Sequence, residues 1–209
     1  MRPITLTRSL LAADADGIAQ NQTTAGAADL TLNGALVAGG VAQLTSQRKV
    51  AAHSAGNIAT VIFTVYGTDD AGRSISDTIT GVNNSTVSTT LDFKTVTRVA
   101  ASAAVGTNVE IGTTDEGASM PIPLDQYLTP FNVSVGLIVT GTVDVTLQYT
   151  FDAIFDSSGP FTWFDTDDIL NATASGEETF ISPVSAIRLL TNSGTGSATL
   201  RIIQAGAAS

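Results

Sequence analysis

The stretch from Val133 to Phe151 constrains this chain more than any other. Val133, Val135, Leu137 and Val139 recur at every second position, and after Thr140-Gly141 the pattern resumes with Val143, Val145, Leu147, Tyr149 and Phe151. Thr142, Asp144, Thr146, Gln148 and Thr150 fill the intervening positions of the second run. Successive side chains of an extended strand point to opposite faces, so a period of two gathers the apolar residues on one side. A helix would scatter the same residues around its circumference. The pattern predicts a half-buried antiparallel hairpin turning at Thr140-Gly141.

The rest of the chain follows the same grammar. Val61, Phe63 and Val65 share a face, Asp69-Asp70-Ala71-Gly72 supplies turn residues, and Ile75 and Ile79 share a face in the run from Arg73 to Thr80. Aspartate bonds its own backbone in turns and glycine accepts positive φ, so this is a second hairpin. Further strands are expected at Leu30–Leu32, Val41–Leu44, Arg48–Ala52, Thr86–Thr90, Leu91–Ala100 and Val109–Gly112. In the second half they are expected at Phe161–Phe164, Thr179–Ile181, Val184–Thr191 and Ser197–Gln204, with a short helix over Asp165–Leu170. Composition agrees. Only 13% of the residues are charged, against about 25% in an average domain. Lysine occurs only at 49 and 94, too sparsely to coat helices, while the abundant threonine is β-branched and suits a pleated surface.

A length of 209 residues accommodates two domains of about 100 residues each. Polar Thr113-Thr114-Asp115-Glu116-Gly117 and the prolines at 121, 123 and 130 disfavour a helix or a central strand, which places a linker near 113–122. Residues 1–27 lack a strong period apart from Leu6, Leu10 and Leu11. The expected fold is therefore all-β: an N-terminal arm (1–27) and two antiparallel β-sandwich or jelly-roll-like domains (28–115 and 116–209). Arg8 interrupts the short apolar stretch from Ile4 to Leu11, and Asp14 and Asp16 follow, so no secretion signal is expected. No run approaches the ~20 apolar residues of a membrane span, and no membrane association is expected.

The net charge of −10 and the scattered placement of nine Lys and Arg residues argue against nucleic acid as a partner, since phosphate binding needs clustered cations. There is no cysteine and a single histidine, His53, so a zinc site lacks ligands; His53 is expected to be a strand-edge surface residue. Asp69-Asp70, Asp165-Thr166-Asp167-Asp168 and Glu177-Glu178 read first as turn and cap residues, Asp165 as a helix N-cap, with a weak calcium site at Asp165, Asp167 and Asp168 as the other reading. Gly34–Gly40 lacks the Lys-Ser/Thr and helix of a phosphate loop. No catalytic constellation and no cofactor site is expected. Phe151, Phe155, Phe161, Trp163 and Phe164 crowd one stretch, where aromatics serve as core or interface, and less often as platforms for sugar rings.

Several motifs, in order, resemble small β-rich virion structural proteins of tailed bacteriophages. They are Phe63-Thr64-Val65-Tyr66-Gly67-Thr68-Asp69, Ser76-Asp77-Thr78-Ile79-Thr80-Gly81 and Asp92-Phe93-Lys94-Thr95-Val96-Thr97 in the first half. Pro130-Phe131-Asn132-Val133-Ser134, Leu147-Gln148-Tyr149-Thr150-Phe151-Asp152, Ala186-Ile187-Arg188-Leu189 and a late Gly-Thr-Gly turn follow, and the resemblance covers most of residues 60–204. The resemblance implies a role in the virion, made in the host cytoplasm and displayed on the particle, and supplies no catalytic residues. The leading expectation is a capsid decoration (cement) protein that binds the major capsid protein and copies of itself, as a trimer by preference. A neck, tail or fibre-base component and a carbohydrate-binding module using Trp163 are the alternatives. Ile4, Leu6, Leu10 and Leu11 of the arm, with Phe161, Trp163 and Phe164, are the expected interface residues.

Overall fold

A computed structural model describes residues 3–10, 12–155 and 161–208. Leu11 and the segment Asp156-Ser157-Ser158-Gly159-Pro160 lie outside the described residues. Among those described there is no helix, and so none long and apolar enough to cross a membrane. The chain divides into two compact units, residues 11–117 and residues 1–10 with 118–209. Strand β1 (Ile4–Ser9) belongs to the second unit. The first unit holds β2 (Asp14–Thr24), β3 (Ala28–Asp29), β4 (Val37–Ala38), β5 (Val41–Asn57), β6 (Ile62–Thr68), β7 (Ser74–Thr80), β8 (Asn83–Ala101) and β9 (Val105–Thr113). After β10 (Gly117–Ala118) the second unit continues with β11 (Ile122–Pro123), β12 (Leu128–Thr140), β13 (Val143–Thr150), β14 (Phe164–Asp165), β15 (Gly176–Phe180), β16 (Ala186–Gly194) and β17 (Ser197–Ala208).

The first unit is one antiparallel sheet in the order β2-β9-β5-β8-β6-β7, with β3 on β8 and β4 on β5. The expected β6–β7 hairpin forms, from Ile62 opposite Thr80 to Thr68 opposite Ser74. Its turn works as its residue types predict. Gly72 takes φ +76°, and an Asp69 carboxylate oxygen accepts the Arg73 N–H at 2.9 Å. The two strands expected at Thr86–Thr90 and Leu91–Ala100 are instead one strand, β8, carrying a bulge. Lys49 faces Asp92, but Ala51 already faces Ser88. The Thr89 hydroxyl accepts the Val50 N–H and donates to the Leu91 carbonyl, so the irregular backbone keeps its hydrogen bonds. Such bulges bend long strands. Nearly every strand then contributes to one core around Ile18, Val50, Phe63, Phe93, Val99 and Ile111. His53 is not at a strand edge. It lies within β5, between β8 and β9, with Nδ1 2.7 Å from Glu110 Oε1.

The second unit is a sandwich. One sheet runs β1-β17-β12-β15 and the other β10-β16-β13-β14, with β11 on β16. Val133, Val135 and Leu137 of β12 and Leu200 and Ile202 of β17 share a core with Val145 and Leu147 of β13 and Ile187 and Leu189 of β16. The hairpin expected between β12 and β13 is absent: they are consecutive and oppositely directed but lie in different sheets. The same holds for β16 and β17. A hairpin would set both apolar faces side by side in one sheet, leaving other strands to cover them. Crossing from sheet to sheet makes each face the cover of the other. The two crossings stack, with Gly196 N–H donating to the Thr142 carbonyl at 2.8 Å.

Three further expectations change. Strand β13 is buried at inward and outward positions alike, and the run from Phe164 to Ala172 pairs along its edge: Thr166 N–H donates to the Leu147 carbonyl, Leu147 N–H to Ile169, and Val145 and Ala172 exchange both bonds. That backbone pairing replaces the short helix expected over Asp165–Leu170, and with it the N-cap role of Asp165. Pro130 lies inside β12 rather than before it, at a register shift between Thr129 and Asn132, where a residue without an N–H is tolerated. The described part of residues 1–27 is not an irregular arm. Residues 4–9 form β1, paired with β17, and residues 14–24 form β2, paired with β9. Ile4, Leu6 and Arg8 share the inward face of β1, and its alternation was hidden because a charged residue fills the third inward position.

Candidate functional site

The inner faces of the second unit's two sheets meet solvent at one margin of the sandwich. Tyr149 continues the inward face of β13 beyond Leu147, and Phe151 follows it. Phe164 of β14 sits opposite Tyr149, and Phe180 of β15 sits opposite Val133 of β12. Both β14 and β15 are edge strands, so this margin has no further strand to close it. Four rings gather there. The Tyr149 ring lies 5.5 Å from that of Phe151, 5.6 Å from that of Phe164 and 5.7 Å from that of Phe180, centre to centre. The Phe164 pair is stacked at 28° and the Phe151 pair is edge-on at 85°. These are the preferred arrangements of rings with electron-rich faces and electron-poor edges.

Beside the rings is an open depression of about 510 Å³. Tyr149, Phe151, Phe180 and Ile181 form its apolar part, and Asp165, Asp167, Asp168 and Glu178 its acidic part. Glu178 alternates with Phe180 on β15, so its carboxylate is on the strand's inward side. No lysine or arginine lines the depression among the described residues. Thr166, on the same wall, is only 4% exposed, yet its hydroxyl has no hydrogen-bond partner. Asp165 is positioned from below: Gln148 donates to it at 2.7 Å and accepts from Arg188 at 2.7 Å. The Arg188 guanidinium in turn lies 4.2 Å from the centre of the Trp163 ring.

A second depression of about 270 Å³ in the same unit is lined by Leu124, Gln126, Tyr127, Ile154, Phe155 and their neighbours. Tyr127 and Phe155 are 84% and 81% exposed.

The sequence-expected interface residues divide in two. Ile4 and Leu6 pack against the sandwich core and Leu10 is buried, so these side chains are engaged within the fold. Leu11 lies outside the described residues. Phe161 and Trp163 are half-buried and Phe164 is exposed. Arg188 covers one face of the Trp163 ring. Asp165, Asp167 and Asp168 do come together on one wall, but no group of three or more candidate ligands among the described residues is placed to hold a metal ion. Tyr149, Phe180, Glu178, Thr166 and Tyr127 were not singled out from the sequence as site residues. Tyr149 read there as one of the alternating apolar positions and Phe180 only as part of the strand Thr179–Ile181, and nothing in the local sequence marks Thr166.

No protein-family model matches this chain, and no curated protein matches it. Among solved structures, the infectious bursal disease virus Gx strain overlaps it with a TM-score of 0.21 at 11% identity, over 98% of this chain and 71% of that one. The infectious bursal disease virus VP2 subviral particle overlaps with a TM-score of 0.23 at the same identity and coverage. This similarity is weak and assigns no family.

Proposed function

We propose that this chain is a structural protein of a tailed-bacteriophage virion, a capsid decoration protein that binds the outer surface of the head and bridges capsomers. Its partners are then the major capsid protein and copies of itself. The observation that supports an assembly role is the exposed aromatic surface of the second unit, above all Tyr127 and Phe155 around one depression. Large exposed rings concentrated in a depression are the usual anchors of protein interfaces. The ordered motifs over residues 60–204 supply the virion context. A modest interface suffices for such a role, because many copies multiply it across a shell.

The test is binding to purified empty heads. Tyr127→Ser/Phe155→Ser in the full chain is expected to lower head occupancy about tenfold, with an unchanged melting temperature. Undiminished occupancy of the folded variant would remove the proposal's support. Copy number per particle decides position: shell-covering numbers favour decoration, whereas ring-sized numbers move the protein to the neck, tail or fibre base. Removing residues 1–10 is the wrong variant for this purpose, because it also removes β1 from its sheet.

A further inference from the structure

The outward face of the sheet β1-β17-β12-β15 is nearly free of charge, on a chain whose net charge is −10. Burial alternates along its strands, so Ser134, Gly136 and Ile138 of β12, Arg201 and Ile203 of β17 and Glu177 of β15 point away from the core. Among the described residues of this sheet, Arg201 and Glu177 are the only charged ones on that face.

Register fixes where the two charges lie. Gly136 stands opposite Arg201 on one side and opposite Glu177 on the other. One cross-strand row therefore reads Arg201, Gly136, Glu177, with opposite charges one strand spacing either side of a glycine. Among the described residues neither charged side chain has a hydrogen bond or an ion pair. A Cβ on Gly136 would meet only the Arg201 carbonyl oxygen, 4.0 Å away, so the chain's own packing does not demand a glycine there. The missing side chain leaves the middle of the row low, where another surface can approach closely.

A row of this form is complementary to itself. A half-turn about an axis along β12, with the two faces laid together, sets Arg201 of each copy over Glu177 of the partner subunit. The glycines then meet at the centre, and Ile138 meets its own counterpart. A half-turn about an axis across the strands sets like charges together, so the charges select the first arrangement. Face-to-face sheets align within about 30°, which keeps these long side chains in reach of one another.

The area suits reversible pairing. From Asn132 to Thr140 at about 3.4 Å per residue, and across β17, β12 and β15 at about 4.8 Å per strand, the patch measures about 30 by 14 Å. Two such faces give a footprint of about 900 Å², near the lower bound of about 1,000 Å² for specific interfaces and in the class of transient ones. Elsewhere an acidic surface makes copies of this chain repel, and here that repulsion is absent. An unrelated partner gives no reason for opposite charges equidistant from a glycine.

We propose that this face binds a second copy of the chain in a twofold pair, with Arg201 of each copy over Glu177 of the partner subunit. The pairing gives a place to the contact between copies and rests on the proposed function for its setting, but it uses no residue of the Tyr127–Phe155 surface.

The test is analytical ultracentrifugation of the isolated full chain over a range of concentrations. The average mass is expected to rise from 21.3 kDa toward twice that value, with a dissociation constant of about 10–100 µM that weakens as salt is raised. Arg201→Glu and Glu177→Arg should each weaken self-association about tenfold, because each sets two like-charged pairs together. Mixed in equal amounts, the two variants should pair with each other as tightly as wild type pairs with itself, since every facing pair is again of opposite sign. Gly136→Gln should weaken pairing about tenfold at an unchanged melting temperature, by filling the middle of the row. Tyr127→Ser/Phe155→Ser should pair as wild type does, so this proposal and the head-binding surface fail separately. Three outcomes would each overturn the pairing: a mass of one chain at every concentration, single charge variants that associate like wild type, or a mixture that pairs no better than either variant alone.

Discussion

Asp77 shows how much one side chain can do for the long strands of the first unit. One of its carboxylate oxygens accepts the Thr78 N–H at 2.7 Å; the other accepts the Thr90 N–H at 2.7 Å, the Thr90 hydroxyl at 2.8 Å and the Leu91 N–H at 3.0 Å. The donors at Thr90 and Leu91 belong to the bulge in β8, so Asp77 satisfies backbone that the bulge frees from the ladder. Partial burial would raise its pKa, but the bonds from Leu91, Thr90 and Thr78 outweigh it and hold the pKa below the ordinary carboxylate value. Its contribution to stability is therefore complete above the unfolded value of about 3.9 and disappears as pH falls through the lower folded value. Asp77→Ala should cost about 1–2 kcal/mol at neutral pH, after allowing for its exposure to solvent. Urea titrations should show the gap between variant and wild type closing below about pH 4; a gap independent of pH would refute the assignment. At this scale the turn from Asp69 to Gly72 was legible, since its roles are local. Thr166 was not, because its burial comes from elements distant in sequence.

Between elements, the crossings that replace the expected hairpins place strict demands on glycine. Gly194 adopts φ +94°, and a Cβ there would lie 2.5 Å from the Thr142 carbonyl oxygen and 2.9 Å from the Val143 Cα. Gly194→Ala should destabilise the second unit by about 2–3 kcal/mol through backbone strain and overpacking. Gly176→Ala on the edge strand β15, where a Cβ meets nothing within 4 Å, should stay within about 0.5 kcal/mol. Thermal unfolding of the pair checks this, and equal effects would count against stacked crossings. The period of two located β12 and β13 but could not tell a hairpin from a crossing, because both need the same alternation and the same short turn. A two-residue loop beginning with glycine even favours the hairpin locally; burial of both apolar faces overrode it. Pro130 misled for a related reason, since the cost of a missing N–H depends on whether a partner strand is in register there.

Across the whole molecule, the two ends of the chain are joined in one sheet, with Ile4 opposite Ile202 and Ser9 opposite Ser197. The first unit is a continuous stretch, residues 11–117, whereas the second needs residues 1–10 as well. Residues 11–117 made alone should unfold in a single cooperative transition. Residues 118–209 alone should melt lower and aggregate, because β17 then presents an unpaired edge. A synthetic peptide of residues 1–10 should restore their melting temperature; if residues 118–209 match the intact chain without it, β1 is dispensable. From the sequence by itself came the all-β class, the location of most strands and the turns between them, because alternation and turn chemistry are local properties written in neighbouring residues. Only the tertiary structure decided which strands pair, where the ends of the chain go, and how the rings and carboxylates of distant segments come to share one depression. Pairing is settled by which apolar faces can cover one another, and that depends on the whole chain at once.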